Sequence, residues 1–203
     1  MRLKFSLIII ITLVVILVSA AVTVFYYTQR STRSSSPLIP EPVLSTIGNA
    51  PGTLIVHSES FMNASPIPSK YAYCGGDNYS PSIIVENTPA NTESIILLIY
   101  DPDAPSGLFY HWVVYGLKGS RVVLPEGSSE NTTLLQGSNS YGFIGYSGPC
   151  PPPGDKPHRY VFLAIAVDMD TGTWPPGLSP ENVLARIKNH VLAYGYIYGT
   201  YSR

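Results

Sequence analysis

The chain has 203 residues, a formal net charge of −1 and only 12% charged residues. It lacks a basic excess, which removes the electrostatic case for a nucleic-acid partner. Its 19 prolines and 17 glycines punctuate short apolar runs, the pattern of a mainly β chain long enough for one sizeable core.

Residues 1–4 carry Arg2 and Lys4 and read as a short cytoplasmic end. Phe5 to Tyr27 contains no charge, and Leu, Ile and Val dominate it. Such a run spans a hydrocarbon core of about 30 Å at about 1.5 Å per residue. A transmembrane anchor over 5–27 is therefore expected. The alternative is a cleaved signal peptide, with Val18-Ser19-Ala20 as the cleavage context. The apolar run continues past that point through Val22, Val24 and Phe25, which favours the anchor. Arg2, Lys4 and the amino terminus outweigh Arg30 and Arg33, so the N-terminus is placed inside. The expected location is the cell membrane, single-pass, with the C-terminal domain extracytoplasmic, or secretion if the segment is cleaved.

Residues 28–52 contain Pro37, Pro40, Pro42 and Pro51 and read as a Ser/Pro-rich tether. The other reading is an arm packed on the domain through Leu38, Ile39, Val43 and Leu44. Residues 53–203 read as one domain without internal repeats. Strands are expected over Thr53–Ser58, Ser82–Val85, Ser94–Tyr100, Arg121–Leu124, His111–Leu117 and Tyr160–Asp168. The run Ile95 to Tyr100 is apolar on both alternating faces, as in a strand covered on both sides. The last expected element is a helix. Ser179 caps it, Pro180 and Glu181 suit its first turn, and Leu184, Ile187 and Val191 share a face. Gly195 is the expected stop. The triplets at Asn63, Asn78 and Asn131 match the N-glycosylation pattern and matter only outside the cytoplasm.

Two stretches carry chemistry. In the first, Pro102 ends the ladder near Asp101, and Pro105 and Gly107 turn the chain. Asp101 and His111 then meet at one end of neighbouring strands. In the second, Tyr146 to Tyr160 reads YSGPCPPPGDKPHRY. Within it His158 and Tyr160 lie two apart and share a face. Imidazole N–H groups are directional donors, and a neighbouring carboxylate fixes the tautomer. Two such rings plus loop amides make a mild anion site.

The blocks Asp101-Pro102-Asp103-Ala104-Pro105-Ser106, His111-Trp112-Val113-Val114, Tyr146-x-Gly148-Pro149-x-Pro151-Pro152-x-Gly154 and His158-Arg159-Tyr160 resemble the phosphatidylethanolamine-binding protein family, also called Raf kinase inhibitor-like. The segment Ile67 to Tyr71, with Cys74-Gly75 and Ser80-Pro81, is similar to its bacterial and archaeal branch. The likeness covers about Thr53 to Arg203. It implies two packed, mainly antiparallel sheets with a C-terminal helix. It implies a pocket for phosphate, acetate or a phospholipid headgroup, lined by Asp101, His111 and His158 beside Tyr160. The loop Gly148 to Pro152, including Cys150 and Pro151, would form another wall and offer backbone N–H groups. Asp103 and Arg159 would pair behind the pocket. The resemblance also allows a protein partner such as a serine protease. No cofactor or resident metal is implied.

The alternative is a hydrolase in which Asp101, His111 and His158 hold a metal or run acid–base chemistry. Neither Gly-x-Ser-x-Gly nor His-Glu-x-x-His occurs in support of it. Trp112 and Tyr160 are weighed as core aromatics. His57 and His190 are expected at the surface. Cys74 and Cys150 are two thiols or one disulfide, a choice their spacing leaves open.

Overall fold

The fold was analysed in a computed structural model, which describes residues 15–23 and 36–203. Residues 15–23 are helical. The rest of the anchor expected over 5–27 lies outside the described residues, as do residues 1–4 and 28–35. Among the described residues no helix is long and apolar enough to cross a membrane.

From Ser36 onward the chain forms one unit. In order, its regular elements are helix α1 (Glu41–Ile47), strands β1 (Ile55–His57), β2 (Ile83–Glu86), β3 (Ser94–Asp101), β4 (Phe109–Leu117), β5 (Val122–Leu124) and β6 (His158–Val167), helix α2 (Pro180–Ile187) and strand β7 (Val191–Tyr201). Two antiparallel sheets result. One has the order β1-β2-β5 and the other β4-β3-β6-β7.

Strand β3 is central to the larger sheet and buried along its whole length. Its alternation sorts its side chains into two cores. Ile95, Leu97 and Ile99 join Val56, Ile83, Val85 and Trp112 between the sheets. Ile96, Leu98 and Tyr100 join Val43, Ile47, Val183, Leu184 and Ile187 under the helices. The two-sided apolar run is thus explained: sheet covers one face and helices the other.

Helix α1 corrects the tether reading for the described part of residues 28–52. Pro40 and Pro42 have no N–H to lose in a first turn, and Glu41 suits its positive end. Val43 and Ile47 are fully buried. This stretch is the packed arm, turned into a helix.

The expected end of the last helix is also corrected. Ser179 Oγ accepts from the Asn182 amide, and Pro180 opens the helix as expected. The helix stops at Ile187, where Asn189 takes a left-handed φ of 71°. Val191 to Tyr201 is not a helix tail but the edge strand β7, paired along β6 from His158↔Tyr201 to Val167↔Val191. Its inward positions include Gly195 and Gly199 because other chain segments press on it. A Cβ at Gly195 would lie 2.1 Å from the Leu54 carbonyl oxygen. The outer edge of β7 is satisfied by residues 51–67: the Leu54 amide donates to the Tyr194 carbonyl and the Ile67 amide to the Thr200 carbonyl.

Candidate functional site

Three elements end together. Strand β3 delivers Asp101 as its last residue, β6 delivers His158 and Tyr160 from its first, and β4 delivers His111. Antiparallel pairing of β3 with both neighbours places these ends side by side. All four side chains are buried.

Asp101 and His158 form a pair. His158 Nδ1 lies 2.7 Å from Asp101 Oδ2. The other oxygen, Oδ1, accepts from the Asp103 amide at 2.7 Å, the short turn that Pro102 imposes. His158 Nε2 faces Asp155 Oδ2 at 3.6 Å. Burial raises the Asp101 pKa above the usual carboxylate value, and the bond to His158 opposes that rise.

His111 is used differently from the expected pair of imidazole donors. Its Nδ1 lies 2.6 Å from the Ser147 carbonyl oxygen, so that nitrogen carries the proton and donates. Burial pushes its pKa down to about 4. At neutral pH the ring is uncharged, and its one N–H is spent on the backbone.

The proline loop also offers less than expected. Pro149, Pro151 and Pro152 have no amide hydrogen, and the Gly148 amide donates to Asn78 Oδ1 at 2.7 Å. Gly148 itself is required by close packing, since a Cβ there would lie 1.9 Å from the Tyr71 carbonyl oxygen. That leaves the amide of Cys150. Pro151 is buried, whereas Pro152 is exposed. Cys150 is joined to Cys74 by a disulfide. The Tyr73 and Cys74 amides both donate to the Pro149 carbonyl, at 3.1 and 3.4 Å, binding the same two segments again.

Tyr160 completes the group. It is only 1% exposed, yet among the described residues its hydroxyl has no acceptor to donate to. The hydroxyl lies beside the Cys150 amide and Asp101, and burial raises its pKa. The ring packs edge-on against His111, with centroids 5.1 Å apart. Tyr160 is therefore a core aromatic that also borders His111 and Asp101. Trp112 is core: its Nε1 donates to buried Gln136 Oε1 at 2.6 Å.

Asp103 and Arg159 pair as the resemblance implied. Arg159 Nε donates to Asp103 Oδ2 at 2.6 Å and Nη2 donates to Oδ1, a bidentate contact. Arg159 Nη2 also donates to the Ser36 carbonyl. His57 and His190 sit half-exposed beside Glu86 and Asp168, as expected of surface residues.

Several neighbours escaped the sequence reading. Phe109 packs on His111 at 5.0 Å and on Tyr141 at 4.8 Å. Arg203 Nη1 lies 3.6 Å from Cys150 Sγ. The one usable signal was the aromatic run Tyr141 to Tyr146 between glycines; Arg203 had none. A separate cleft of about 530 Å³ is lined by Lys70, Glu126, Ser60, Ile84 and others. It shares no residue with the Asp101 group. In it Lys70 Nζ and Tyr71 Oη both donate to Glu126. Among the described residues no three His, Cys, Asp or Glu side chains converge in a metal-holding arrangement.

Comparison with known proteins agrees with this architecture. A family model described as phosphatidylethanolamine-binding protein matches residues 57–202. A UPF0098 protein of Aquifex aeolicus is 40% identical over 151 residues, covering 73% of this chain and 88% of that protein. An archaeal UPF0098 protein, from Archaeoglobus fulgidus, is 37% identical over 71% of this chain and 50% of its own length. The crystal structure of CT736 from Chlamydia trachomatis, a phosphatidylethanolamine-binding protein homologue, superposes with a TM-score of 0.66 at 36% identity. It covers 77% of this chain and 99% of that one. The chain belongs to the phosphatidylethanolamine-binding protein family, in its bacterial and archaeal branch.

Proposed function

We propose that this family member is a binding module that takes a small anion, such as phosphate or a phospholipid headgroup, at the junction of β3, β4 and β6. The observation that carries the reading is the Tyr160 hydroxyl: buried, with no acceptor for its proton among the described residues, and beside the Cys150 amide. A buried donor left unmade costs about 1–3 kcal/mol, which a ligand oxygen would relieve. The donors are then Tyr160 O–H, Cys150 N–H and, when it is protonated, His158 Nε2–H. His111 walls the site as a neutral ring. Asp103 and Arg159 hold the start of β6 from behind.

The same reading places the domain outside the cytoplasm, held by an N-terminal apolar segment. The Cys74–Cys150 disulfide supports this, because such bonds persist in oxidising compartments. A protein partner such as a serine protease belongs to this reading as a second occupant of the same face.

The test is a titration of the full chain with phosphate and phosphoethanolamine, following the four histidines by NMR. Saturable shifts of His111 and His158, with His57 and His190 still, are the expected result. Shifts confined to the surface histidines, or none, would overturn the anion site.

A further inference from the structure

A chain of aromatic rings leads from the buried group to the surface. It starts at Tyr160, packed on His111 at 5.1 Å. It continues from His111 to Phe109 at 5.0 Å and from Phe109 to Tyr141 at 4.8 Å. Tyr141 then stacks with Phe143 at 6.1 Å and 11°, and meets Tyr73 at 5.6 Å. The last three rings are strongly exposed: Tyr73 50%, Tyr141 46% and Phe143 43%. Ile144, 55% exposed, extends the patch. Single exposed apolar side chains need no explanation, but a contiguous group beside a polar site does.

The Tyr141 amide is satisfied by Asn139 Oδ1 whatever the side chain. Charge adds a direction. Arg203 lies within electrostatic reach of Tyr141, and its Nη1 reaches Cys150 Sγ. A guanidinium thus stands where the aromatic patch meets the loop carrying the Cys150 amide. The exposed rings and the cation lie beside the loop that carries the Cys150 amide, with Tyr160 buried at the inner end of the ring series.

We propose that the ligand is an organic anion bearing a planar apolar group, its anionic end at Tyr160 and Cys150 and its planar group on Tyr141 and Phe143. This rests on the anion-site reading and narrows it: inorganic phosphate would fill half the site. Tyr141 and Phe143 are then the specificity-determining side chains. Arg203 draws the charge toward the loop.

The experiment compares inorganic phosphate, hexyl phosphate and phenyl phosphate on the full chain by calorimetry, in wild type and in Tyr141→Ser. Phenyl phosphate should bind about five- to tenfold tighter than inorganic phosphate, the advantage of one aromatic contact. Tyr141→Ser should lose that advantage while its affinity for inorganic phosphate stays unchanged, which also certifies the fold. Equal affinity for phosphate and phenyl phosphate in wild type would overturn the inference and leave the anion site standing. A gain with hexyl phosphate as large as with phenyl phosphate, or one that survives Tyr141→Ser, would also overturn it. Failure of all three ligands to bind would remove the anion site and this inference together.

Discussion

Single side chains decide how the site titrates. His111 is buried and donates to the Ser147 carbonyl, and burial brings its pKa from about 6.5 to about 4. Because the folded value lies below the unfolded one, the folded state takes up this proton later. The stability it provides is complete above about pH 6.5 and is lost as pH falls toward 4. That interval corresponds to about 3 kcal/mol. Asp101 works the other way. Its raised pKa stabilises the fold as pH drops through the range between its unfolded and folded values. The His111 contribution is therefore read by difference. Guanidinium unfolding at pH 7 and pH 4.5 should show a smaller pH loss in His111→Asn than in wild type. Equal losses would contradict the burial account. Asp103→Ala should cost about 1–3 kcal/mol, because Arg159 would stay partly buried without its bidentate partner. Its partial exposure keeps the figure below that of a fully buried pair. An unchanged melting temperature would remove Asp103 from the support of the site.

At the scale of elements, the legible parts were those whose signal is local. The two-faced run Ile95 to Tyr100 announced β3, and Asp101-Pro102 announced its end, because proline chemistry acts within one residue. The Asp103–Arg159 pair was implied by the family resemblance, whereas the ring that bonds Asp101 is His158 and not the expected His111. The misread parts depend on distant contacts. Strand β7 has glycines inward because residues 51–67 lie against it, and nothing in Val191 to Tyr201 shows that. Helix α1 is too short to display a period, and four prolines around it suggested a linker. The spent N–H of His111 and the occupied Gly148 amide depend on Ser147 and Asn78, which no local pattern ties to the site. Helix α1 also yields a prediction. Ile47→Ala should destabilise the protein by about 2–5 kcal/mol, as for other buried truncations. A cost near zero in thermal unfolding would return residues 36–52 to a loose tether.

For the whole molecule, the larger sheet works as a frame buried on both faces, with the proposed anion site at one end. The smaller sheet packs on one face of that frame and the helices on the other. The disulfide fixes what the sheets do not reach. Cys74 and Cys150 lie 76 residues apart in sequence, with Cα atoms 4.9 Å apart. Closing a loop of that length restricts the unfolded chain by an amount worth about 2–4 kcal/mol. Dithiol reduction should therefore lower the guanidinium midpoint by a corresponding amount, and an unchanged midpoint would contradict it. Reduction should also weaken anion binding, since Cys150 carries the amide that the three prolines leave to the loop.

The central claim is that the buried Tyr160 hydroxyl is a ligand donor. Calorimetric titration of phosphate into wild type and Tyr160→Phe tests it most directly. Phenylalanine keeps the ring against His111 and removes only the oxygen. The account predicts an equally or more stable variant whose phosphate affinity falls about tenfold, the loss of one buried hydrogen bond to a charged group. Equal phosphate affinity in the two proteins would contradict it, leaving Tyr160 a core residue and the site elsewhere.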